Sequence, residues 1–150
     1  MRAVIQRVSE ASVVISEKEV AGISRGLLIF VGIELEDVKE DAFWLANKIG
    51  HLRIFEDEDG VMNKSIIQVD GQVIVVSQFT LHAKTKRGNR PSYIKAANPE
   101  QAIPLYEQFK KDLSLVIGAR VQAGEFGADM KVSLINDGPV NIIIDTKNKE

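Results

Sequence analysis

The chain contains no cysteine. That removes disulfides, thiolate nucleophiles and Cys-ligated metals, and it leaves His51 and His82 as the only imidazoles. No metal or other cofactor is expected. Long apolar runs are missing too: Leu27–Val31, bracketed by glycines, falls far short of a bilayer span, and the N-terminus lacks the charged-then-apolar order of a signal peptide. A cytoplasmic protein without membrane contact is the expectation. Nor does either sign of charge dominate. A formal net charge of -2 gives no whole-molecule attraction to phosphates, so contact with nucleic acid has to come from a local patch.

With 150 residues and 45% hydrophobic content, the chain has the length and apolar material for one domain spanning 1–150. Its strand signals are dense. Met1–Val8 and Ala11–Ile15 read as two early strands divided by Ser9-Glu10, able to continue as a bent hairpin through Glu19–Ile23. Gly26–Gly32 brackets a central strand. Asp37 and Glu40 have capping-box spacing, and Val38, Ala42, Leu45, Ile49 and Leu52 follow at helical intervals, predicting a helix over about 38–51. His51 falls at its end, where the helix dipole favours a cation. A second helix begins at Asn98-Pro99, carries its buried stripe on Ala102, Leu105 or Tyr106, Phe109 and Leu113, and stops at Gly118, with an irregular start because of Pro104. The expected fold class is α/β: layered, mostly antiparallel or mixed sheet, partly barrel-like, with two main helices.

The acidic run Glu56–Asp59 before Gly60 lacks the third oxygen ligand and the later glutamate of an EF-hand loop, so it reads as a solvated hairpin tip. The most informative strand is Val73–Leu81, which is β-branched and apolar at first and then polar at Ser77, Gln78 and Thr80. Such a strand is buried on both faces and delivers polar groups at its end. Taken alone, hydroxyls that satisfy their own backbone where the strand stops are the preferred explanation. Arg7, in an apolar strand, is by pattern an exposed outer-face arginine; a brace on a buried carbonyl is the other possibility.

Residues 82–95 hold five Lys or Arg residues and no acid. A purely basic loop in an acidic chain suits a phosphate-bearing ligand, and it equally suits a solvated loop. Three end strands follow, Arg120–Ala123, Lys131–Ile135 and Val140–Ile144. The first two are separated by Gly124–Met130, whose glycines let backbone pass close to something, and the last two by Asn136-Asp137-Gly138-Pro139. An ordinary turn is the plain reading of that tip. Proline nevertheless admits a cis bond, which would fix two carbonyl directions.

Ser77-Gln78-Phe79-Thr80 and Asn136-Asp137-Gly138-Pro139-Val140, in this order and about sixty residues apart, resemble the D-aminoacyl-tRNA deacylase (D-tyrosyl-tRNA deacylase) family. The resemblance extends through the opening Met-Arg-Ala-Val-Ile-Gln-Arg-Val, Arg53-Ile54-Phe55, the basic Arg87–Pro91 segment and Gly127-Ala128-Asp129-Met130. One departure is Asn141, where the family usually has threonine. It is expected to alter local packing and not chemistry.

The resemblance implies an editing hydrolase that removes D-amino acids, and misattached glycine, from the 3′ end of tRNA. It further implies a homodimer in which Gly138 and Pro139 of one subunit, joined by a cis bond, enter the other subunit's site and exclude L-amino acids with their carbonyls. Arg7 would brace that segment. Ser77, Gln78, Phe79 and Thr80 would form the catalytic strand end, with N–H groups of Phe79 and Thr80 meeting the developing oxyanion. A positioned water, aided by the 2′-hydroxyl and oriented by Thr80, is preferred to Thr80 as nucleophile, because His82 has no acid to orient it. Phe126 and Met130 would line an adenosine pocket, and Lys84, Lys86, Arg87 and Arg90 would meet tRNA phosphates. Two other classes compete: a non-catalytic RNA-binding module, which needs only the basic loop, and a general threonine esterase, which needs only Thr80.

Overall fold

The computed structural model describes residues 1–150. Strand β1 (Arg2–Ile15) runs past Ser9 and Glu10 without a break and turns into β2 (Lys18–Ile23). The polar pair expected to divide two strands marks only a pairing irregularity, between Val8 and Glu10 on β1. Strand β3 (Gly26–Gly32) lies antiparallel to the first half of β1, and β2 covers its second half.

Helix α1 (Lys39–Gly50) occupies the predicted span, but its cap is displaced by one residue. The Asp41 carboxylate accepts from the Val38 N–H at 3.0 Å, while Asp37 is buried and binds the Met1 ammonium at 2.5 Å. A short arm of β4 (Phe55–Glu56) and β5 (Met62–Lys64) carries the acidic tip, where Asp57 accepts from the N–H groups of Asp59 and Val61.

Strand β6 (Gln72–Ser77) runs parallel to β3. Alternation along it explains its burial on both faces. Val73 and Val75 pack into the large core under the helices, whereas Ile74 and Val76 join Leu28, Val8 and Val13 in a second core roofed by β2 and the far half of β1. Each such side chain contributes about 1.5–3 kcal/mol on burial. The strand ends at Ser77, earlier than expected: Phe79–His82 form a 3-10 turn, so Thr80 and His82 do not share a strand face. His82 is buried.

Helix α2 (Pro99–Ile117) starts at Asn98, whose side chain accepts from the Gln101 N–H at 3.0 Å, and packs against α1. Strand β7 (Val121–Ala123) runs parallel to β6, giving the order β2-β1-β3-β6-β7. Strand β8 (Lys131–Asp145) pairs antiparallel with β1 along most of its length. The turn expected at 136–139 is instead a bulge inside this one strand. Asn136 pairs with Val8 and Asn141 with Gln6, so four residues, Asp137 to Val140, stand opposite Arg7 alone. The expected α/β arrangement of a mixed, partly barrel-like sheet with two helices is what the chain adopts. No helix is long and apolar enough to cross a membrane.

Candidate active site

The polar end of β6 opens into a cavity of about 290 Å³. Its walls include Val31, Val76, Ser77, Gln78 and Phe79 from the sheet end, Ala97 and Ala102 near the start of α2, and Phe126–Met130 with Val132 from the β7–β8 connection. Ser77, Gln78, Phe79, Phe126 and Met130 are therefore brought together. Strand β6 lies parallel between β3 and β7, and the cavity opens beyond its carboxyl end, the end at which parallel sheets present ligands.

Thr80 is not in the wall of this cavity and borders a neighbouring cleft with Arg2, Leu81 and Ile142–Asp145. It remains linked to the site through Gln78, whose Nε2 donates to Thr80 Oγ1 at 2.6 Å. Thr80 Oγ1 is thus occupied as an acceptor, and its proton is left to donate elsewhere. His82 is 3% exposed and makes no hydrogen bond to Thr80; its Nε2 has no partner at all. No side chain stands ready to deprotonate the threonine.

The cavity floor is held from beneath. The Tyr106 hydroxyl donates to the Val75 carbonyl at 3.0 Å, and its ring meets Phe126 edge to face at 5.8 Å. Burial, with a smaller contribution from Glu107, pushes the Tyr106 phenol far above its ordinary range, so it remains a donor. Gly124 leaves Met130 room to lie across the β7–β8 connection, because a Cβ there would collide with the Met130 sulfur.

Gly138 and Pro139 are exposed at the crest of the β8 bulge, and their peptide bond is cis. Neither lines the cavity formed by Ser77–Phe79. Arg7, expected by pattern on the outer face, is only 6% exposed beneath the bulge. Its Nε donates to the Asp137 carbonyl at 2.9 Å and its Nη1 to the Ile54 carbonyl at 2.7 Å. Gly138 has φ +140°, and a Cβ there would stand 3.0 Å from the Val140 nitrogen and 3.1 Å from Arg7 Nη2. The bulge accepts only glycine at that position without rearrangement.

Lys84, Lys86, Arg87 and Arg90 are exposed on a hairpin-like loop closed by Lys84 and Ser92, and none of them is in the cavity wall. Sequence reasoning passed over Tyr93. This residue packs edge to face on Phe79 with ring centroids 5.0 Å apart. An aromatic residue inside an otherwise basic segment was the available signal.

Comparison with known proteins identifies the family and the fold. Residues 4–145 match the family described as D-Tyr-tRNA(Tyr) deacylase. Proteins named D-aminoacyl-tRNA deacylase from Bacteroides fragilis (strain YCH46) and Flavobacterium psychrophilum are each 65% identical over 150 residues, covering 100% of both chains. Among solved structures, the c-Myc DNA Unwinding Element Binding Protein superposes with TM-score 0.90 at 38% identity, covering 97% of this chain and 98% of its own. A probable eukaryotic D-amino acid tRNA deacylase shares the fold, with TM-score 0.81 at 15% identity over 95% of this chain and 97% of its own. With the family matched almost end to end, and with its relatives aligned over their full length, this chain belongs to the D-Tyr-tRNA(Tyr) deacylase family, hydrolases of the ester that joins an amino acid to tRNA.

Proposed function

We propose that the protein hydrolyses D-aminoacyl-tRNA, and mischarged glycyl-tRNA, and spares the L-aminoacyl ester by steric exclusion. The terminal adenosine occupies the cavity against Phe126 and Met130, and its ester is presented to the Ser77–Thr80 segment. A water attacks the ester carbonyl. Main-chain N–H groups of Phe79 and Thr80, at the opening of the turn where donors lack partners within it, meet the negative charge that builds on the carbonyl oxygen. Collapse of the tetrahedral species breaks the bond to the ribose oxygen, which takes up a proton; the products are a free amino acid and tRNA. Thr80 orients the water or the neighbouring 2′-hydroxyl. The Gln78 to Thr80 hydrogen bond and the absence of a base support that role over direct attack.

The observation that carries selectivity is the placing of the Arg7-anchored bulge. Asp137–Val140 stand opposite Arg7, which pairs with Leu27, whereas Ser77 pairs with Val31. Four residues of β3 separate the two levels, roughly 13 Å along the strand direction. The exposed Gly138-Pro139 crest and the cavity therefore do not meet within one chain, which fits a homodimer whose subunits each lend the crest to the other's cavity. Main-chain carbonyls of Gly138 and Pro139 then crowd the position of an L side chain and leave a D side chain, or the hydrogen of glycine, unhindered. Rejection by backbone is indifferent to the identity of the amino acid. Lys84, Lys86, Arg87 and Arg90 meet phosphates of the acceptor end, and the enzyme works in the cytoplasm, where charged tRNA is found.

Incubation with matched D- and L-aminoacyl-tRNA tests the reading. Selective loss of the D-ester supports it, cleavage of both enantiomers indicates a general esterase, and tRNA binding without cleavage indicates an RNA-binding module.

A further inference from the structure

Phe79 lines the cavity and is nevertheless 56% exposed. Tyr93, 37% exposed, meets the Phe79 ring at an interplanar angle of 76°, so one ring presents an edge and the other a face. Two adjoining aromatic rings left open to water are an unusual use of apolar surface. Their position is not incidental to a mobile loop. Lys84 and Ser92 exchange both main-chain hydrogen bonds, at 2.8 and 3.1 Å, and the Ala96 N–H reaches the Tyr93 carbonyl at 2.9 Å, so Tyr93 is held between two closed turns.

The surrounding charge is of one sign. Lys84, Lys86, Arg87, Arg90 and Lys95 are all exposed, none takes part in an ion pair, and the segment 82–95 contains no acid. Cations alone would suit any phosphate-bearing ligand. Open ring surface beside unpaired cations is the combination that recognises single-stranded nucleic acid: bases stack on the rings while the backbone follows the charge.

We propose that Phe79 and Tyr93 form a stacking shelf for the nucleobase immediately 5′ of the terminal adenosine in the unpaired 3′ end of tRNA, with the basic loop along its phosphates. The shelf rests on the deacylase reading. Because Phe79 belongs both to the cavity wall and to the shelf, the two surfaces are continuous, and a chain leaving the adenosine pocket on this side crosses the rings before it reaches Lys84–Arg90. Stacking is tolerant of base identity, so this contact strengthens binding of every tRNA without choosing among them.

The test compares two esters of the same D-amino acid, one on intact tRNA and one on adenosine alone, for wild type, Tyr93→Leu, Tyr93→Ala and Tyr93→Phe. The leucine variant keeps apolar bulk against Phe79 and guards against a folding defect in the alanine one. Loss of the ring is expected to lower kcat/KM on tRNA about ten- to a hundredfold, through KM, and to lower the ratio of tRNA to adenosine activity by a similar factor; phenylalanine restores both. In parallel, an RNA hairpin with 2-aminopurine in place of the stacked base should lose fluorescence on binding to wild type and Tyr93→Phe, and not on binding to Tyr93→Leu. Equal losses on the two esters, no loss on tRNA, or unchanged fluorescence at saturation overturns the shelf while leaving the deacylase reading intact. A wild-type protein that cleaves neither ester overturns the deacylase reading, and the shelf with it.

Discussion

Arg7 donates through Nε to the Asp137 carbonyl at 2.9 Å and through Nη1 to the Ile54 carbonyl at 2.7 Å, so one buried guanidinium joins the base of the β8 bulge to the start of the β4–β5 arm. Both acceptors are main-chain oxygens, and the geometry uses the planar fork of arginine rather than its charge alone. The carboxylates of Glu56 and Asp137, each 3.9 Å away, balance that charge from the rim.

Arg7→Lys is therefore expected to loosen the Gly138-Pro139 crest more than it destabilises the chain. Losing one hydrogen bond from a charged donor corresponds to about 1.5–3 kcal/mol, or roughly ten- to a hundredfold. Single-turnover hydrolysis of matched D- and L-aminoacyl-tRNA should show the D-to-L preference reduced by a factor of that order. An unchanged preference would detach Arg7 from selectivity.

Thr80→Ala should weaken the chemistry without abolishing it. The variant removes one neutral hydrogen-bonding group, a loss of about 1 kcal/mol, and kcat on D-aminoacyl-tRNA is expected to fall five- to tenfold, about the factor that energy gives. Thr80→Ser should stay close to wild type. Were the hydroxyl the nucleophile, the alanine variant would lose essentially all activity while still binding tRNA, and the water mechanism would have to be abandoned.

How far the site could be read in advance depended on whether its signal was local. Both helices and the apolar stretch of β6 announce themselves through local pattern and lie where expected, and both ends of the chain are β-rich as expected, although β1 and β8 are each one long strand where two were expected. Three features needed information from distant residues. The 3-10 turn at Phe79–His82 follows from Gln78 completing the pairing with Val31 and the chain then leaving the sheet. Arg7 looks like a surface residue until the bulge that covers it, some 130 positions later, is known. The Asn136–Pro139 segment has the composition of a turn, and only continued pairing of Asn141 with Gln6 makes it a bulge within one strand.

Asp37 supplies a prediction about stability alone. Its carboxylate binds the Met1 ammonium at 2.5 Å and accepts from the Glu34 N–H at 2.8 Å, and the same ammonium reaches Thr146 Oγ1 at 2.6 Å. The two charged groups are fully buried, so neither can recover hydration if the other is removed. Asp37→Ala is expected to cost about 3–5 kcal/mol and to lower Tm by roughly 10 °C or more in a chain of this size. A thermal melt showing a shift of only a degree or two would mean that the ammonium finds another partner.

Tyr106 gives the cavity floor a dependence on alkaline pH whose sign can be worked out. Burial, reinforced by Glu107, raises the phenol's folded-state pKa well above that of a free tyrosine. In the unfolded chain the phenol ionises near pH 10, whereas in the folded chain it stays neutral and bonded to the Val75 carbonyl. A raised folded value lends stability that is fully present below the unfolded pKa and is lost as pH rises toward the folded one. Wild type should therefore lose stability above about pH 10 at up to about 1.4 kcal/mol per pH unit beyond the slope of Tyr106→Phe, which has nothing to ionise. At neutral pH the phenylalanine variant should be the less stable by about 1 kcal/mol, the net worth of one hydrogen bond. The penalty is no larger because the Val75 carbonyl keeps the Gly124 N–H at 3.2 Å. Urea melts of both proteins near pH 7.5 and pH 10.5 should thus show the gap between them narrowing or reversing; parallel curves would mean that the Tyr106 phenol ionises as readily in the folded chain as in the unfolded one.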